Sequence, residues 1–458
     1  MKHHKAPSFP VRHLFIALAA LLSTGASRAA EPALTLKDND VWVMAGDSIT
    51  AQRMHTNYIE AYYRTRYPKL KLHFHNSGIG GNRTGSVLAR FDYDVAAWKP
   101  TIVSIELGMN DVSGGEDTYI NGMKELIAKI RAIHAQPVLI SSSPVDDGSV
   151  TNDWKSDRCA KIHPFTNALK KLATDEKVMF VDQYHQLLDL WGQNRRKGAE
   201  AAAARDAGAP KPAPVATIAG RPAPAKPGLP SSLIPLGGDA VHPGAVGQYT
   251  MAAAILKDLK AEGEVSSVTL SADGKAGEAK GCKISDVSAN AGKLSFTRLD
   301  DVSPWPILPG AKSAIGLFPQ ILKLSEYTLR VSGLPEGNYR VSINGKPAAT
   351  VSAKDLAAGW NATTAFDGAL GERSTKILGL IGTLQSKLNS DWRAASKEKS
   401  LENLAAAKEK DAAKLGALKA KNAQQFATAQ KAIEVSEKEI QAAVQPEPLH
   451  FEIEKENR

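Results

Sequence analysis

The sequence predicts an α/β fold: a three-layer parallel sheet with helices on both faces, followed by a C-terminal small β module and a helical extension. Two observations carry this expectation. Between residues 40 and 190, short apolar runs alternate with longer stretches whose apolar residues recur at helical spacing. That βαβα rhythm builds a mostly parallel sheet covered on both sides. Beyond residue 265 the rhythm gives way, first to β-rich segments and then to long Ala-, Lys-, Glu- and Leu-rich ones.

The elements follow in chain order. Lys2, Lys5 and Arg12 precede an apolar run, Leu14 to Leu22, and Ser27-Arg28-Ala29 has the small-x-small form of a cleavage site. Residues 1–29 therefore read as a signal peptide, and an exported protein, periplasmic or secreted, is expected. The run is shorter than the ~20 apolar residues that cross a bilayer. Strands are expected at Val41–Ala45, Leu70–Asn76, Ile102–Leu107, Val138–Ser142 and Val178–Val181. Helical spacing marks Asn57–Tyr67, Ser86–Trp98 and Tyr119–His134. A flavodoxin-like sheet of this kind runs in the order 2-1-3-4-5 and places ligands beyond the carboxyl ends of its strands. Residues 198–230 are rich in Ala and Pro, and repeated Pro fixes φ and removes N–H donors, so an exposed, extended or disordered insertion is expected. A helix at Ala245–Leu259 closes a first domain spanning residues 30–262.

Val268–Leu270, Leu294–Thr297, Tyr327–Val331 and Tyr339–Ile343 read as strands of a small β-rich module over residues 263–352. Leu334-Pro335-Glu336-Gly337-Asn338 has the chemistry of a hairpin turn between the last two. Residues 353–458 suit long helices, and Ser400–Gln445 contains no Pro and only Gly416. Their mostly polar faces point to a helical hairpin docked on the body.

Composition narrows the function classes. With 458 residues, 43% hydrophobic and 23% charged, the chain is neither wholly disordered, collagenous nor a multi-span membrane protein. Its formal charge of +9 includes four basic residues and no acid in residues 1–29, so 9 − 4 = +5 remains. So mild an excess gives no reason to expect nucleic acid as a partner. Two cysteines, Cys159 and Cys282, make neither a disulfide framework nor a four-ligand zinc site.

Four blocks carry chemistry. Gly46-Asp47-Ser48-Ile49-Thr50 follows the first strand, where α/β sheets place ligands, although Gly-Asp-Ser is also good turn chemistry. Thr50 excludes the G-x-S-x-G elbow. Asn76-Ser77-Gly78-Ile79-Gly80-Gly81-Asn82-Arg83-Thr84 follows the second strand. Its paired glycines suit a turn that presents backbone N–H groups; no Lys-Ser/Thr follows, which speaks against a P-loop. Gly108-Met109-Asn110-Asp111 follows the third strand, and the Asn amide offers two N–H donors. Asp239-Ala240-Val241-His242-Pro243 precedes the last helix. An Asp three residues before a His orients an imidazole or forms half of a metal site, and no third ligand stands in the block.

In this order and spacing the blocks resemble the SGNH hydrolases, the GDSL esterase/lipase family, over about Val41–Leu259, with Ile49 where the family's name has Leu. The resemblance implies Ser48 as nucleophile, His242 as base and Asp239 as the triad acid. It implies an oxyanion hole from the backbone N–H groups of Ser48 and Gly81 and the side chain of Asn110. It further implies a serine esterase with no metal and no organic cofactor. Export and a polar site edge at Asn82 and Arg83 lean towards small acyl groups, acetyl above all, on polysaccharide or another hydrophilic alcohol. Esterase action on longer chains, or a non-catalytic polysaccharide- or partner-binding protein on the same fold, are the alternatives. Arg83 reads as a helix-start residue and Asp47 as structural. Asp111 reads as support for the Asn110 turn or a cap for the next helix. His55, His73, His75, His134, His163 and His185 read as surface or internally satisfied, and Trp42 and Trp98 as core.

Overall fold

The computed structural model describes Met1 and residues 33–148, 155, 157–208, 233–290, 292–406 and 411–456. Apart from Met1, the leader expected at 1–29 lies outside the described residues, as does the 209–230 part of the expected insertion.

Strands β1 (Val41–Gly46), β2 (His73–Gly78), β3 (Ile102–Glu106), β4 (Gln136–Ile140) and β5 (Met179–Val181) form one parallel sheet in the order β2-β1-β3-β4-β5. Between them lie α1 (Ser48–Ala51), α2 (Met54–Arg66), α3 (Thr84–Asp94), α4 (Glu116–Ala132) and α5 (Asp157–Glu176), and α6 (Gln183–Gly208) and α7 (Ala245–Asp258) follow β5. The period of two along each strand sorts side chains between two helical layers. Val43, Ala45, Val103, Ile105 and Leu139 pack with Phe91, Met123 and Leu169 on one face. Trp42, Met44, Ile102, Val138 and Ile140 pack with Ile59, Tyr63 and Ile255 on the other. Helix α6 corrects one expectation: residues 198–208 are helical, not extended. Ala201–Ala204 favour helix, and the first Pro comes only at Pro210.

The β module is a pair of sheets. One has the order β13-β10-β6-β7, from β6 (Glu264–Ser271), β7 (Ala276–Lys280), β10 (Glu326–Ser332) and β13 (Trp360–Asn361). The other has the order β12-β11-β14-β9-β8, from β8 (Cys282–Asn290), β9 (Lys293–Asp300), β11 (Asn338–Ile343), β12 (Lys346–Ser352) and β14 (Leu449–Lys455). The expected hairpin between β10 and β11 does not form. β10 pairs in parallel with β6, Leu329 opposite Val268, while β11 pairs with β12 and β14. Both strands carry an apolar row, Tyr327-Leu329-Val331 and Tyr339-Val341-Ile343, and both rows are buried in one shared core. A tight turn reverses the chain, but burying two apolar faces against each other decides which sheet each strand joins.

The boundary expected at 352 also fails. β14 comes from the end of the chain and lies between β9 and β11, so the 353–458 segment supplies a central strand as well as helices. Between them run short helices α8 (Ala314–Leu317) and α9 (Ala353–Ala358) and the long helices α10 (Gly368–Lys387), α11 (Arg393–Ala406) and α12 (Ala412–Ala443). One π turn, Leu388–Trp392, joins α10 to α11. Ile377, Ile381, Leu384, Trp392, Ile433 and Ile440 join the same apolar cluster as Tyr62, Tyr63 and Trp42. The long helices are thus docked on the parallel-sheet body. Among the described residues no helix is long and apolar enough to cross a membrane.

Candidate active site

Gly46 is level with Gly78 on β2 and with Glu106 on β3, so the loops after these three strands leave the sheet together. Ser48 opens α1 at that edge. A Cβ on Gly46 would stand 2.0 Å from Thr50 Oγ1, and one on Gly78 2.4 Å from Ala51 N. Bare glycine backbone is what lets α1 turn so tightly against the strands. Asp47 Oδ1 accepts the Ile49 N–H at 2.9 Å and fixes the start of the turn.

Ser48 Oγ lies 2.8 Å from His242 Nε2 across 194 residues of sequence. His242 Nδ1 lies 3.0 Å from Asp239 Oδ2. With the ring proton on Nδ1, that N–H donates to Asp239 and Nε2 accepts the Ser48 hydroxyl. Asp239 Oδ1 also accepts the backbone N–H groups of His242 and Val241, each at 2.8 Å. These bonds, followed by the one from the His242 ring, hold the exposed Asp239 carboxyl down at about 2.

The turn carrying this pair is fixed from both sides. Gly238 has φ +71°, and a Cβ there would meet His242 O at 2.0 Å. Asp239 N donates to His242 O at 3.1 Å, and Gly244 N to Gly237 O at 2.9 Å. Two neighbours on α6 brace the same segment. Asn194 Nδ2 donates to Ile234 O at 2.7 Å while its Oδ1 accepts Ile234 N–H at 2.9 Å. Arg195 grips Asp146 through bonds of 3.0 and 2.7 Å, and Asp146 N donates to Ala240 O at 2.8 Å. Asn194, Arg195 and Asp146 were invisible to sequence reasoning, because no local pattern ties them to the His242 turn.

The second and third blocks hold each other. The turn at Ile79–Asn82 closes through Asn82 N to Ile79 O at 3.2 Å, with Gly81 at φ +73°. Glycine is the residue that takes this position at no steric cost. Asn110 Nδ2 donates to Asn82 O at 3.2 Å and faces Asp47 Oδ2 at 3.4 Å. Asp111 Oδ1 accepts Thr84 N–H at 2.9 Å and Thr84 Oγ1–H at 3.0 Å. Asp111 therefore caps α3, the helix before it in sequence, and not the next helix. Ser48, Gly81, Asn110, Asp239 and His242 stand around one edge of the sheet, and Gly80 comes within 3.9 Å of Ser48 Cβ if given a Cβ of its own.

The sequence profile of the GDSL-like Lipase/Acylhydrolase family matches residues 44–249, a stretch that begins in β1, ends in α7 and contains all four blocks. This stretch is a GDSL-like lipase/acylhydrolase domain. Within the chain, 55 residues are 42% identical to an acetylxylan esterase of Geobacillus stearothermophilus. They make up 12% of this chain and 25% of that protein, so the chain spans about a quarter of the curated relative it matches. A solved structure of a gut microbial diltiazem-metabolizing enzyme aligns over 92% of this chain and 99% of its own, at 19% identity and a TM-score of 0.68. Its likeness shows that the fold is shared beyond the GDSL-like domain, through the β module and the helices. An acetylxylan esterase structure from Geobacillus stearothermophilus aligns over 50% of this chain and 98% of its own, at 20% identity and a TM-score of 0.37.

Beneath Ser48 the GDSL-like domain buries a charged cluster. His55 bridges Gln248 Oε1 at 2.7 Å and Glu106 Oε2 at 3.0 Å. Glu106 also accepts from Thr50 Oγ1 at 3.1 Å and Gln183 Nε2 at 2.7 Å. Burial disfavours both charges, but the pair overcomes it: His55 is raised and Glu106 lowered. Among the described residues Asp47 has no such cation in contact. Burial first, then the Glu106 charge, push its carboxyl up to about 7. Glu106 was missed, although an acid closing the apolar strand Ile102–Glu106 signals a buried charge needing a partner. Arg83 precedes α3 and is exposed, as its helix-start reading expects. Among the described residues no group of three or more His, Cys, Asp or Glu is gathered to hold a metal ion.

Proposed function

We propose that the chain is a serine ester hydrolase that works through an acyl-enzyme and removes small acyl groups, acetyl above all, from a carbohydrate or another hydrophilic alcohol. One observation carries the reading: hydroxyl, imidazole and carboxylate stand in series, Ser48 Oγ 2.8 Å from His242 Nε2 and His242 Nδ1 3.0 Å from Asp239 Oδ2.

The chemistry follows from that series. Ser48 Oγ attacks the ester carbonyl carbon as its proton passes to His242 Nε2. Asp239 keeps the ring in the required tautomer and stabilises the imidazolium. The carbonyl oxygen, now carrying the charge, takes hydrogen bonds from Ser48 N–H, Gly81 N–H and Asn110 Nδ2. Each such donor is worth about 10²–10³ in turnover. The tetrahedral adduct collapses, and His242 returns the proton to the leaving alcohol. Water then repeats the sequence on the acyl-enzyme, giving up its proton to His242, and Ser48 is restored. No step calls for a metal or organic cofactor.

The stretch shared with an acetylxylan esterase supports a small acyl group on a carbohydrate. The polar residues Asn82 and Arg83, beside Gly81, suit a hydrophilic alcohol. The leader read at residues 1–29 supports export to the periplasm or medium. A second reading, longer acyl chains, is favoured by an apolar wall. Met109, Val112, Ala240 and Val241 lie half-buried over Val145, Ile162 and Tyr184, next to Asn110 and His242.

A panel of acetylated sugars and 4-nitrophenyl esters of increasing chain length tests both. Acetyl esters are expected to turn over fastest, and Ser48→Ala is expected to abolish turnover while circular dichroism stays unchanged. Wild-type-like turnover in Ser48→Ala removes the mechanism, and turnover that rises with chain length selects the second reading.

A further inference from the structure

β2 is an edge strand: among the described residues no strand lies beside its outer row of backbone groups. The helical extension covers that row with side chains. Gln385 on α10 donates Nε2 to Phe74 O at 3.0 Å and accepts Asn76 N–H on Oε1 at 3.0 Å, in the manner of a neighbouring strand. Arg393, the first residue of α11, donates to Asn76 O at 3.3 Å.

Arg393 also reaches inward. Its Nε donates to Asp94 Oδ1 at 2.9 Å, and the Asp94 side chain is fully buried. Asp94 Oδ2 accepts from Ser77 Oγ at 2.8 Å and from Arg90 Nη1. Arg90 then spans to the site: Nη2 donates to Ser77 O at 2.6 Å and Nε to Asn82 Oδ1 at 2.9 Å. Burial alone would raise the Asp94 carboxyl. The His75 bond and charge, with the charges of Arg393 and Arg90, hold it below the usual carboxylate range. So Asp94 stays an anion that can hold two guanidinium groups.

The end of this chain of bonds is Asn82. Its peptide follows Gly81, whose N–H faces the oxyanion in the proposed mechanism, and its carbonyl accepts Asn110 Nδ2 at 3.2 Å. Two of the three oxyanion donors are therefore set by where Asn82 sits. We infer that Arg393 of the helical extension and Arg90 of α3 are positioning residues for the oxyanion donors Gly81 and Asn110, acting through Asp94 and Asn82. The extension is then a working part of the ester-hydrolysing unit. This rests on the esterase reading above.

Steady-state hydrolysis of 4-nitrophenyl acetate by the full chain tests it, with Ser48→Ala as control. Arg393→Met keeps the stem and removes the fork. It is expected to lower kcat at least fivefold with KM within twofold of wild type. In an Asn110→Ala background the same change is expected to cost less than in wild type, because one of the two donors it positions is already gone. An unchanged kcat, a change confined to KM, or an equal loss in both backgrounds overturns the inference. If Arg393→Met does not fold, Asn82→Ala decides, since it cuts the link at the Arg90 bond: a kcat loss at constant KM supports the inference and an unchanged kcat overturns it. Absence of ester turnover in wild type, or its survival in Ser48→Ala, instead overturns the esterase reading and this inference with it.

Discussion

Asp47 occupies an unusual place for an acid. It is 2% exposed, next to Ser48, within the field of Glu106, and bonded to the Ile49 N–H. The unfolded chain loses the Asp47 proton near 3.8, while the folded chain keeps it to about 7. Between those values the folded state binds the extra proton, so this group's contribution to stability falls as pH rises through the window and levels off above it. The full effect is roughly 4 kcal/mol. Asp47→Asn keeps an oxygen for Ile49 and removes the titration. Urea unfolding from pH 4 to 8 is expected to show wild type losing stability relative to Asp47→Asn across the window. A constant difference between the two would show that Asp47 does not hold its proton. The buried pair beside it behaves in the opposite sense on each side. Raised His55 stabilises below its unfolded value near 6.5 and loses this as pH rises, and lowered Glu106 loses its contribution as pH falls.

At the scale of elements, one tight turn does what the helices and strands cannot. The turn before α7 must place Asp239 against His242 Nδ1, three residues on, while His242 Nε2 faces Ser48. It does so with Gly237 and Gly238 at φ +73° and +71°, and with His242 O packed where a Gly238 side chain would stand. Gly238→Ala forces that turn open. Because the segment is exposed, the stability cost is expected to be modest, about 1–3 kcal/mol. The catalytic cost is expected to be larger, at least about tenfold in kcat, since small displacements of reacting groups are expensive. Ester turnover beside a thermal melt checks it; wild-type turnover in the variant would show that the turn does not set the His242 position.

At the scale of the molecule, the described residues from Ala33 onward form one compact unit, and β14 closes its second β sheet. β14 places Phe451 opposite Phe296 on β9 and Ile453 opposite Val341 on β11. A chain stopped after Ser352 leaves both neighbours with open edges and an uncovered core. It is expected to aggregate on size-exclusion chromatography, whereas a chain reaching residue 456 stays monodisperse. A soluble shorter chain with a cooperative melt would contradict this. The same elements show how much was legible beforehand. The five parallel strands and helices α2, α3, α4 and α7 could be read because each repeats its pattern over a few residues, whereas α5 went unread and the end of α6 was taken into the Ala/Pro-rich insertion. The four blocks could be read because glycines and capping acids leave a local signature at strand ends. The β10–β11 hairpin was misread because Leu334–Asn338 encodes only a reversal of direction. Glu106 with His55, and Asn194 with Arg195, went unseen because their partners lie far away in sequence.

The sequence by itself determined the parallel-sheet rhythm, the turns that end its first three strands, and the spacing that sets Asp239 beside His242. These are short-range effects of side-chain periodicity and backbone φ. Only the tertiary structure decided that Ser48 meets His242, that β14 enters the middle of a distant sheet, and that Gln385 and Arg393 cover the edge of β2. Each of those contacts depends on burying faces and edges supplied by segments more than a hundred residues apart, and no local pattern records which face will meet which.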